Sequence, residues 1–135
     1  MDSDAHFQMV GQRIYDRFGV KYLKAEDGVA DSELILKSED GNFLGMPYGG
    51  VIFNMADVTA GAALRSLGAM GLTVSGEVRF MRGVPNVQKL LCHAEVRKAG
   101  KSIGFVDASV TDEKGLELAA LSFVFTRMKE QNVGV

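Results

Sequence analysis

The chain has 135 residues and a mass of 14.6 kDa, the usual size of one globular domain, so we predict a single domain over residues 1–135. Hydrophobic residues make up 47% and charged residues 24%, proportions that exclude a disordered or fibrous chain. The net charge of −2 and the pI of about 5.7 argue against a protein that holds nucleic acid or an acidic membrane, because such proteins carry a basic excess.

The first elements of the chain are a short helix and two strands. Apolar residues recur at helical spacing from Phe7 to Phe18, with possible caps at the third and fourth residues, and Gly19 follows as a stop. This pattern predicts a short amphipathic N-terminal helix. Two strands are then predicted, at residues 20–25 and 29–37, joined by a turn-like Glu-Asp-Gly sequence.

A loop over residues 39–50 leads into a second, longer helix that runs to Leu67. Its apolar residues surround the helix instead of forming one stripe, which is typical of a helix buried on most sides. The small residues at 59–63 would let another backbone approach closely, and Gly68 and Gly71 are predicted to end the helix.

Four strands are predicted in the remainder of the chain, because residues 73–80, 90–97, 102–111 and 116–126 are strand-like and separated by turns. We expect these four strands to form a meander. The predicted fold is α+β: an antiparallel sheet curled around one long central helix, with the short helix at the N-terminus.

Several familiar signals do not lead to a function. The sequence at 99–102 resembles the end of a phosphate-binding P-loop, but the first glycine of that motif would fall at Glu95. His6 and His93 share no metal-ligand spacing with each other or with Cys92, so we predict no metal site. We interpret His93 as a surface histidine and Cys92 as a small core residue.

Cellular location is predicted from weak signals. The single cysteine fits a reducing cytoplasm, and the acidic first residues lack the cationic and then apolar pattern of a signal peptide. The most apolar stretch, 49–67, contains Asn54, Asp57, Thr59 and Arg65 and is a poor membrane span. We expect a soluble cytoplasmic protein without a membrane partner.

Asp57 is the residue with the strongest chemical signal, because an ionised carboxylate within an apolar helix costs several kcal/mol unless it is paired, hydrated or functional. The alternative is that Asp57 faces solvent or is tied to Asn54. Gly49 and Gly50 lie at the start of the same helix, where free N–H groups favour a negative oxygen.

Gly49 and Asp57 are separated by eight residues, or roughly 12 Å along a helix axis. One carbonyl group cannot touch both within a single chain. Two antiparallel copies of the helix, related by a two-fold axis, would place Gly49 of one subunit beside Asp57 of the other. If both groups act together, the active unit is a dimer with two sites.

The sequence from Asn42 to Asp57, Asn-Phe-Leu-Gly-Met-Pro-Tyr-Gly-Gly-Val-Ile-Phe-Asn-Met-Ala-Asp, resembles the signature of hotdog-fold acyl-CoA thioesterases of the phenylacetate-degradation (PaaI) type. That family reads roughly N-x-x-G-x-x-H-G-G-x-x-x-x-x-x-D. The segments at 78–82, 96–102 and 112–115 are similar to later elements of the family. The resemblance covers about residues 10–128 and implies a hotdog fold and a homo-oligomer, either a homodimer or the dimer of dimers that this family often forms.

The resemblance also implies the chemistry, which is hydrolysis of an acyl- or aryl-CoA thioester. The Gly49 N–H would polarise the thioester carbonyl, and Gly50 beside it would contact the substrate. Asp57 of the partner subunit would be the general base or a nucleophile. Asn42 would orient the water or the carbonyl, unless it is an ordinary loop residue, and Thr73 would lie near the acid, unless it is an ordinary strand residue.

The coenzyme is part of the substrate, so no separate cofactor is implied. Its phosphates would meet basic side chains at Arg82, Lys98 and Lys101, each of which is equally plausible as a solvated charge.

Tyr48 departs from the family, which usually has histidine there. A phenol donates a hydrogen bond but is bulkier and does not titrate near neutral pH. Two rival functions therefore stay open. One is a non-catalytic acyl-CoA or lipid-binding hotdog module, and the other is a hydratase, which would need a histidine paired with Asp57.

Overall fold

The computed structural model describes residues 3–129, apart from the side chains at either end. It contains two long helices, α1 (Ser3–Phe18) and α2 (Gly49–Arg65), and a short 3-10 helix at Ser38–Asp40. The strands follow in chain order as β1 (Val20–Glu26), β2 (Val29–Ile35), β3 (Ala69–Met70), β4 (Thr73–Phe80), β5 (Lys89–Ala99), β6 (Ile103–Asp112), β7 (Glu117–Thr126) and β8 (Met128–Lys129). The order of helices and main strands confirms the prediction.

Six strands form one antiparallel sheet in the order β1-β2-β5-β6-β7-β4. Helix α2 packs against this sheet from β1 to β4, most extensively over β5. An antiparallel sheet around one central helix is therefore confirmed.

The predicted four-strand meander is wrong at its first strand. β5, β6 and β7 are consecutive neighbours, but β4 pairs with β7 at the far edge of the sheet and not with β5. The other side of β5 is occupied by β2, from Val29 opposite Glu95 to Ile35 opposite Lys89. Residues 81–88 carry the chain across from one position to the other. β3 and β8 form a separate two-stranded sheet, too short for an alternating pattern to predict.

The turns follow the glycine and aspartate signals. Gly19 has φ of +77° immediately after α1, and its N–H donates to the Tyr15 carbonyl, as expected of a residue that ends a helix. Asp27 and Gly28 both have positive φ in the two-residue turn between β1 and β2, the geometry of a type I′ hairpin. In residues 3–129, no helix combines the length and apolar character needed to cross a bilayer.

Helix α2 has two distinct faces. The face toward the sheet is fully buried, with Met55, Ala56, Ala60, Ala63 and Leu64 at 0% exposure. The opposite face is a narrow stripe of small or polar residues at helical spacing, and it is at least partly exposed. This exposed stripe consists of Gly50, Asn54, Asp57 and Gly61.

Candidate functional site

The loop before α2 is closed by Asn42. Its Oδ1 accepts hydrogen bonds from the backbone N–H groups of Leu44 (2.9 Å) and Met46 (3.1 Å), and its own N–H donates to the Met46 carbonyl (2.6 Å). Gly45, in the middle of this loop, has φ of +75°. These bonds give Asn42 a role in shaping the loop, which was the alternative that its sequence context left open.

The start of α2 exposes backbone donors. Tyr48 is the N-cap, with extended φ and ψ of −60° and 143°, and its side chain makes no capping hydrogen bond. Its carbonyl accepts from Val51 and Ile52, while the N–H groups of Gly49 and Gly50 precede the first residues that can bond within the helix. The helix dipole adds a partial positive charge at the same place.

Gly49 also allows a close contact. A Cβ atom at this position would lie 2.9 Å from Cζ of Phe80, so the aromatic ring packs directly on the backbone of the helix start. Phe80 is the last residue of β4, and α2 runs antiparallel to this strand: a Cβ at Gly76 would lie 2.7 Å from Cζ of Phe53, one turn further along the helix.

Asp57 is half-buried in the middle of α2 and accepts a hydrogen bond from Thr73, whose Oγ1 lies 2.7 Å from Oδ1. The register of β4 with β7 shifts between Thr73 and Ser75, and such a bulge re-aims a side chain locally. Asp57 is therefore not deeply buried, and its hydrogen-bond partner is Thr73 and not Asn54. Its carboxylate is oriented by a hydroxyl group from the adjoining strand.

Tyr22 is a neighbour of Asp57 that the sequence analysis missed. Its hydroxyl donates to the Val58 carbonyl at 2.9 Å, and its ring stacks on Phe7 with centroids 5.7 Å apart. Burial raises the pKa of Tyr22 well above its usual range, and the negative charge of Asp57 raises it further. A tyrosine in an amphipathic strand carries no sequence signal for this contact. Tyr22 lies on the same face of β1 as the buried Val20, just before a bulge between Tyr22 and Lys24.

The predicted site residues form two groups within one chain. Asn42, Gly49 and Arg82 line a single cavity of about 310 Å³ at the start of α2. Tyr48 and Gly50 lie at the same helix end, and both are exposed.

The second group surrounds Asp57 and Thr73. The exposed residues Lys98 and Lys101 belong to this end of the sheet, because the start of β6 pairs with the end of β7, which in turn pairs with Thr73. The described chain does not bring Gly49 and Asp57 into one pocket.

Two residues set aside in the sequence analysis have structural partners. His93 is exposed on β5, and its Nδ1 lies 2.6 Å from Oδ1 of Asp31 on β2. Cys92 faces the core beside Thr59, and burial raises the pKa of its thiol to about 12, which confirms it as an inert core residue. Between residues 3 and 129, no three His, Cys, Asp or Glu side chains converge as metal ligands.

Comparisons with known proteins agree on one family. The thioesterase superfamily matches residues 44–119, a region that contains Gly49, Asp57 and Thr73. A protein of Archaeoglobus fulgidus that carries a provisional esterase name is 25% identical over 95 residues, which are 70% of this chain. The chain spans 62% of that relative's length.

Solved structures share the fold. PaaI from the phenylacetic acid degradation operon of Escherichia coli has a TM-score of 0.83 at 21% identity, covering 92% of this chain and 90% of its own. A hypothetical thioesterase with coenzyme A from Streptococcus pneumoniae has a TM-score of 0.81 at 18% identity, covering 93% and 96%. These likenesses confirm the hotdog architecture expected from the sequence.

Proposed function

Because the chain belongs to the thioesterase superfamily, we propose that it hydrolyses an acyl-CoA thioester to a carboxylic acid and free coenzyme A. The observation that carries the proposal is the carboxylate of Asp57, half-buried in a helix and oriented by the Thr73 hydroxyl at 2.7 Å. An acid held in this way on an otherwise apolar helix is suited to proton transfer or nucleophilic attack.

Asp57 acts in one of two ways. As a general base, it takes a proton from water while the water oxygen attacks the thioester carbon. The C–S bond then breaks and the proton passes to the departing thiolate of coenzyme A. As a nucleophile, the carboxylate displaces the thiolate to form an anhydride, which water cleaves. In both routes the carbonyl oxygen becomes negative, and the Gly49 N–H stabilises that charge.

The two groups come together in a dimer. Gly49 and Asp57 are roughly 12 Å apart along α2, so each site would combine Gly49 of one subunit with Asp57 of the partner subunit. An antiparallel pair of α2 helices would face each other through the exposed stripe. A Cβ at Gly61 in that stripe would meet nothing within 4 Å, which leaves space for a second helix.

The β4 edge supports the same arrangement. β4 ends the sheet, and the hydrophobic residues Leu72, Val74 and Phe80 on or beside it are 67%, 60% and 55% exposed. An apolar strand edge with unpaired backbone groups is a surface that another strand can extend. Further pairing into a dimer of dimers stays a prediction, which light scattering checks as four times 14.6 kDa.

The dimer would also gather the basic residues. Arg82 lines the cavity at Gly49, whereas Lys98 and Lys101 belong to the Asp57 end of the sheet. A two-fold axis that brings Asp57 of the partner subunit to Gly49 therefore brings the lysine side of the partner toward Arg82. We assign these three side chains to the phosphates of coenzyme A, the molecule present in the Streptococcus pneumoniae structure.

Tyr48 occupies the place where related enzymes usually have histidine. The phenol is 49% exposed at the N-cap and would donate a hydrogen bond to the thioester carbonyl or to the departing group. Because tyrosine does not titrate near neutral pH, this residue would contribute a hydrogen bond without adding a protonation step to the pH profile.

The test is release of free thiol from a panel of aryl- and medium-chain acyl-CoA esters by the wild type and by Asp57→Asn. Asparagine still accepts the Thr73 hydrogen bond, so the fold should persist while turnover falls by about 10²–10⁴. Asp31→Asn is the matched control, since this acid pairs with His93 on the sheet, and it should keep wild-type turnover.

Two results would contradict the proposal. If Asp57→Asn turns over the best ester at a rate within a small factor of the wild-type rate, Asp57 takes no part in the chemistry. Saturable binding of CoA esters without turnover of any of them would favour the non-catalytic binding module, for which the tyrosine at position 48 is the motivating observation.

A further inference from the structure

Asn54 and Asp57 are the two polar residues of the exposed stripe on α2, but only one of them has a partner. Asp57 is held by Thr73, whereas the half-buried amide of Asn54 makes no hydrogen bond to any residue between 3 and 129. The half-open cavity of about 410 Å³ next to Asn54 is lined by charged residues, Arg17 and Asp40 among them, and none of them bonds to this amide. An amide offers two donors and an acceptor. Asn54 is therefore available to a partner from outside the chain.

Asn54 points outward between two packed sides of α2. On one side, Phe53 lies against β4, with its Cζ 2.7 Å from where a Cβ at Gly76 would be. On the other side, the helix is tied to β1, because the Tyr22 hydroxyl donates to the Val58 carbonyl at 2.9 Å. Successive helical residues are about 100° apart, so the direction of Asn54 falls between those of Phe53 and Val58. A second α2 helix would approach from this open direction in the proposed dimer.

Two-fold symmetry places Asn54 close to the axis of that dimer. If Gly49 of one subunit lies beside Asp57 of the partner subunit, the axis crosses α2 midway between these residues, at Phe53. Asn54 is the next residue, so its two copies are offset by about 3 Å along the helix pair. Gly61, on the same stripe, is two turns further on, and its two copies are about 24 Å apart. Packed helices have axes about 8–10 Å apart, a distance that two facing amide side chains span.

We infer that Asn54 bonds to Asn54 of the partner subunit across the two-fold axis, and that this pair fixes each Gly49 beside Asp57 of the other subunit. The inference rests on the proposed two-chain hydrolytic site. In a reciprocal amide pair, each side chain donates one N–H to the carbonyl oxygen of its copy, so both amides are satisfied by one symmetric contact.

A self-paired amide specifies one register of the two helices. A slip along the axis would leave two amides desolvated and unpaired, which is costly, and a single asparagine in a helix interface is known to fix register in this way. The pair would lie about 6 Å along the helices from each of the two sites. Asn54 is therefore a positioning residue that serves both sites at once and does not touch the substrate.

Charge exchange at position 54 tests the self-contact. Asn54→Asp and Asn54→Lys each place two like charges at the axis, so each protein alone should have a dimer Kd raised by at least about tenfold. Mixing the two proteins pairs opposite charges and should bring the Kd, measured by sedimentation, to within about threefold of the wild-type value. A mixture that is no more dimeric than either protein alone would overturn the pair.

Gly61→Asp and Gly61→Lys are the matched controls for charge exchange. They add the same charges to the same stripe, and a Cβ at this position meets nothing within 4 Å. The two copies of position 61 are separated by more than the screening length at physiological salt, so mixing these two proteins should bring no gain in dimer affinity. A gain equal to that at position 54 would show that the axis does not pass beside Asn54.

Asn54→Cys measures the separation directly. A disulfide needs Cα atoms about 4.4–6.8 Å apart, which positions next to the axis reach and the two copies of Gly61 do not. Mild oxidation should therefore give a covalent dimer of twice 14.6 kDa with Asn54→Cys and leave Gly61→Cys as single chains. The natural Cys92 is buried and its thiol pKa is raised to about 12, so it does not compete. Cross-linking of Gly61→Cys alone would overturn the inferred axis.

The positioning role predicts a separation of kcat from KM. Asn54→Ala, assayed well above its dimer Kd, should lower kcat by about tenfold and keep KM within about twofold, because the ester still binds while the amide and the carboxylate are held less accurately. Asn54→Gln retains the amide and should recover most of kcat. A dimeric Asn54→Ala protein with wild-type kcat would overturn the positioning role.

The outcomes separate this inference from the proposed function. Charge rescue and cross-linking at position 54, without cleavage of any thioester, would remove the hydrolase and keep the Asn54 pair. Cleavage of thioesters by a dimer that shows neither charge rescue nor cross-linking at this position would overturn the pair and keep the hydrolase.

Discussion

The two ends of the proposed site lie on one helix but differ in kind. At the first turn of α2, Gly49 offers a backbone donor beside a cavity that Arg82 also lines, and Tyr48 stands exposed at the N-cap. In the middle of the helix, Asp57 offers a carboxylate that a single hydroxyl group, from Thr73, orients at 2.7 Å. One helix would therefore carry both halves of the proposed site, and the length between Gly49 and Asp57 keeps them apart. A second antiparallel copy is the simplest way to join them.

A second polar residue in the middle of α2 shows why Asp57 is unusual. Thr59, two residues later, is 0% exposed, donates to the Met55 carbonyl and shares a hydrogen bond with Ser32 at 2.7 Å. All of these bonds close within the core, as expected of a buried polar group with a structural role. Asp57 differs because it is ionisable and half-exposed.

The proposed role of the first turn of α2 is tested by Gly49→Pro, which removes the backbone N–H group proposed as the oxyanion donor. Proline is favoured at the first position of a helix, and Tyr48 already has the extended conformation that must precede a proline. We expect turnover of the best CoA ester to fall by about 10²–10³, since losing one oxyanion donor typically has that effect.

Gly49→Ala is the matched control, because it adds the same Cβ against Phe80 but keeps the N–H group. Equal losses in both variants would show that the Phe80 contact matters and the amide does not. Mixing Gly49→Pro with Asp57→Asn subunits then tests the two-chain site. Random pairing should restore about a quarter of the wild-type activity, since half of the dimers would contain one intact site of the two. No recovery would place both groups in one chain.

In the proposed dimer, Gly49 of one subunit meets Asp57 of the partner subunit only if the subunits pair at the β4 edge. A charged side chain on that edge should therefore separate the subunits. Val74→Lys places an ammonium group on an edge residue that is 60% exposed, a substitution that opposes strand pairing. We expect light scattering to show a shift to the 14.6 kDa monomer and thiol release to fall by at least about tenfold.

The opposite edge strand provides the control. Leu23 on β1 is 51% exposed, and its strand is partly covered by α1. Leu23→Lys should therefore change neither mass nor turnover. A Val74→Lys protein that stays dimeric and active would show that the subunits join through another surface.

Local patterns predicted most of the fold, because helices and strands leave a period in the sequence. The end of α1 at Gly19 and the hairpin at Gly28 follow from glycines that need positive φ. The position of β4 was not predictable, since alternation tells which face of a strand is buried and does not tell which strand lies beside it. Its partner, β7, is separated from it by two intervening strands in the chain.

The site was predicted in part for similar reasons. Helical rise alone separates Gly49 from Asp57, and the structure agrees, with Gly49 against Phe80 and Asp57 against Thr73. Tyr22 was missed because alternation shows that it shares a face with Val20 but does not show that its hydroxyl reaches the Val58 carbonyl of α2.

Cys92 faces the core beside Thr59 of α2 and so contrasts with the half-exposed Asp57. Its thiol should give the stability of the protein a small dependence on pH. Burial raises the pKa of Cys92 to about 12, so the folded protein holds this proton more tightly than the unfolded chain does. The resulting stabilisation is complete below the unfolded pKa of about 8.5 and is lost as pH rises toward 12. Urea unfolding gives the free energy of unfolding at about pH 8 and at about pH 9.5. Between these two pH values the wild type should lose about 1 kcal/mol more of this free energy than Cys92→Ala loses. Val110→Ala, a non-titrating buried neighbour on β6, should keep the full loss, and equal pH dependence in all three proteins would show that the Cys92 thiol is not shielded by the core.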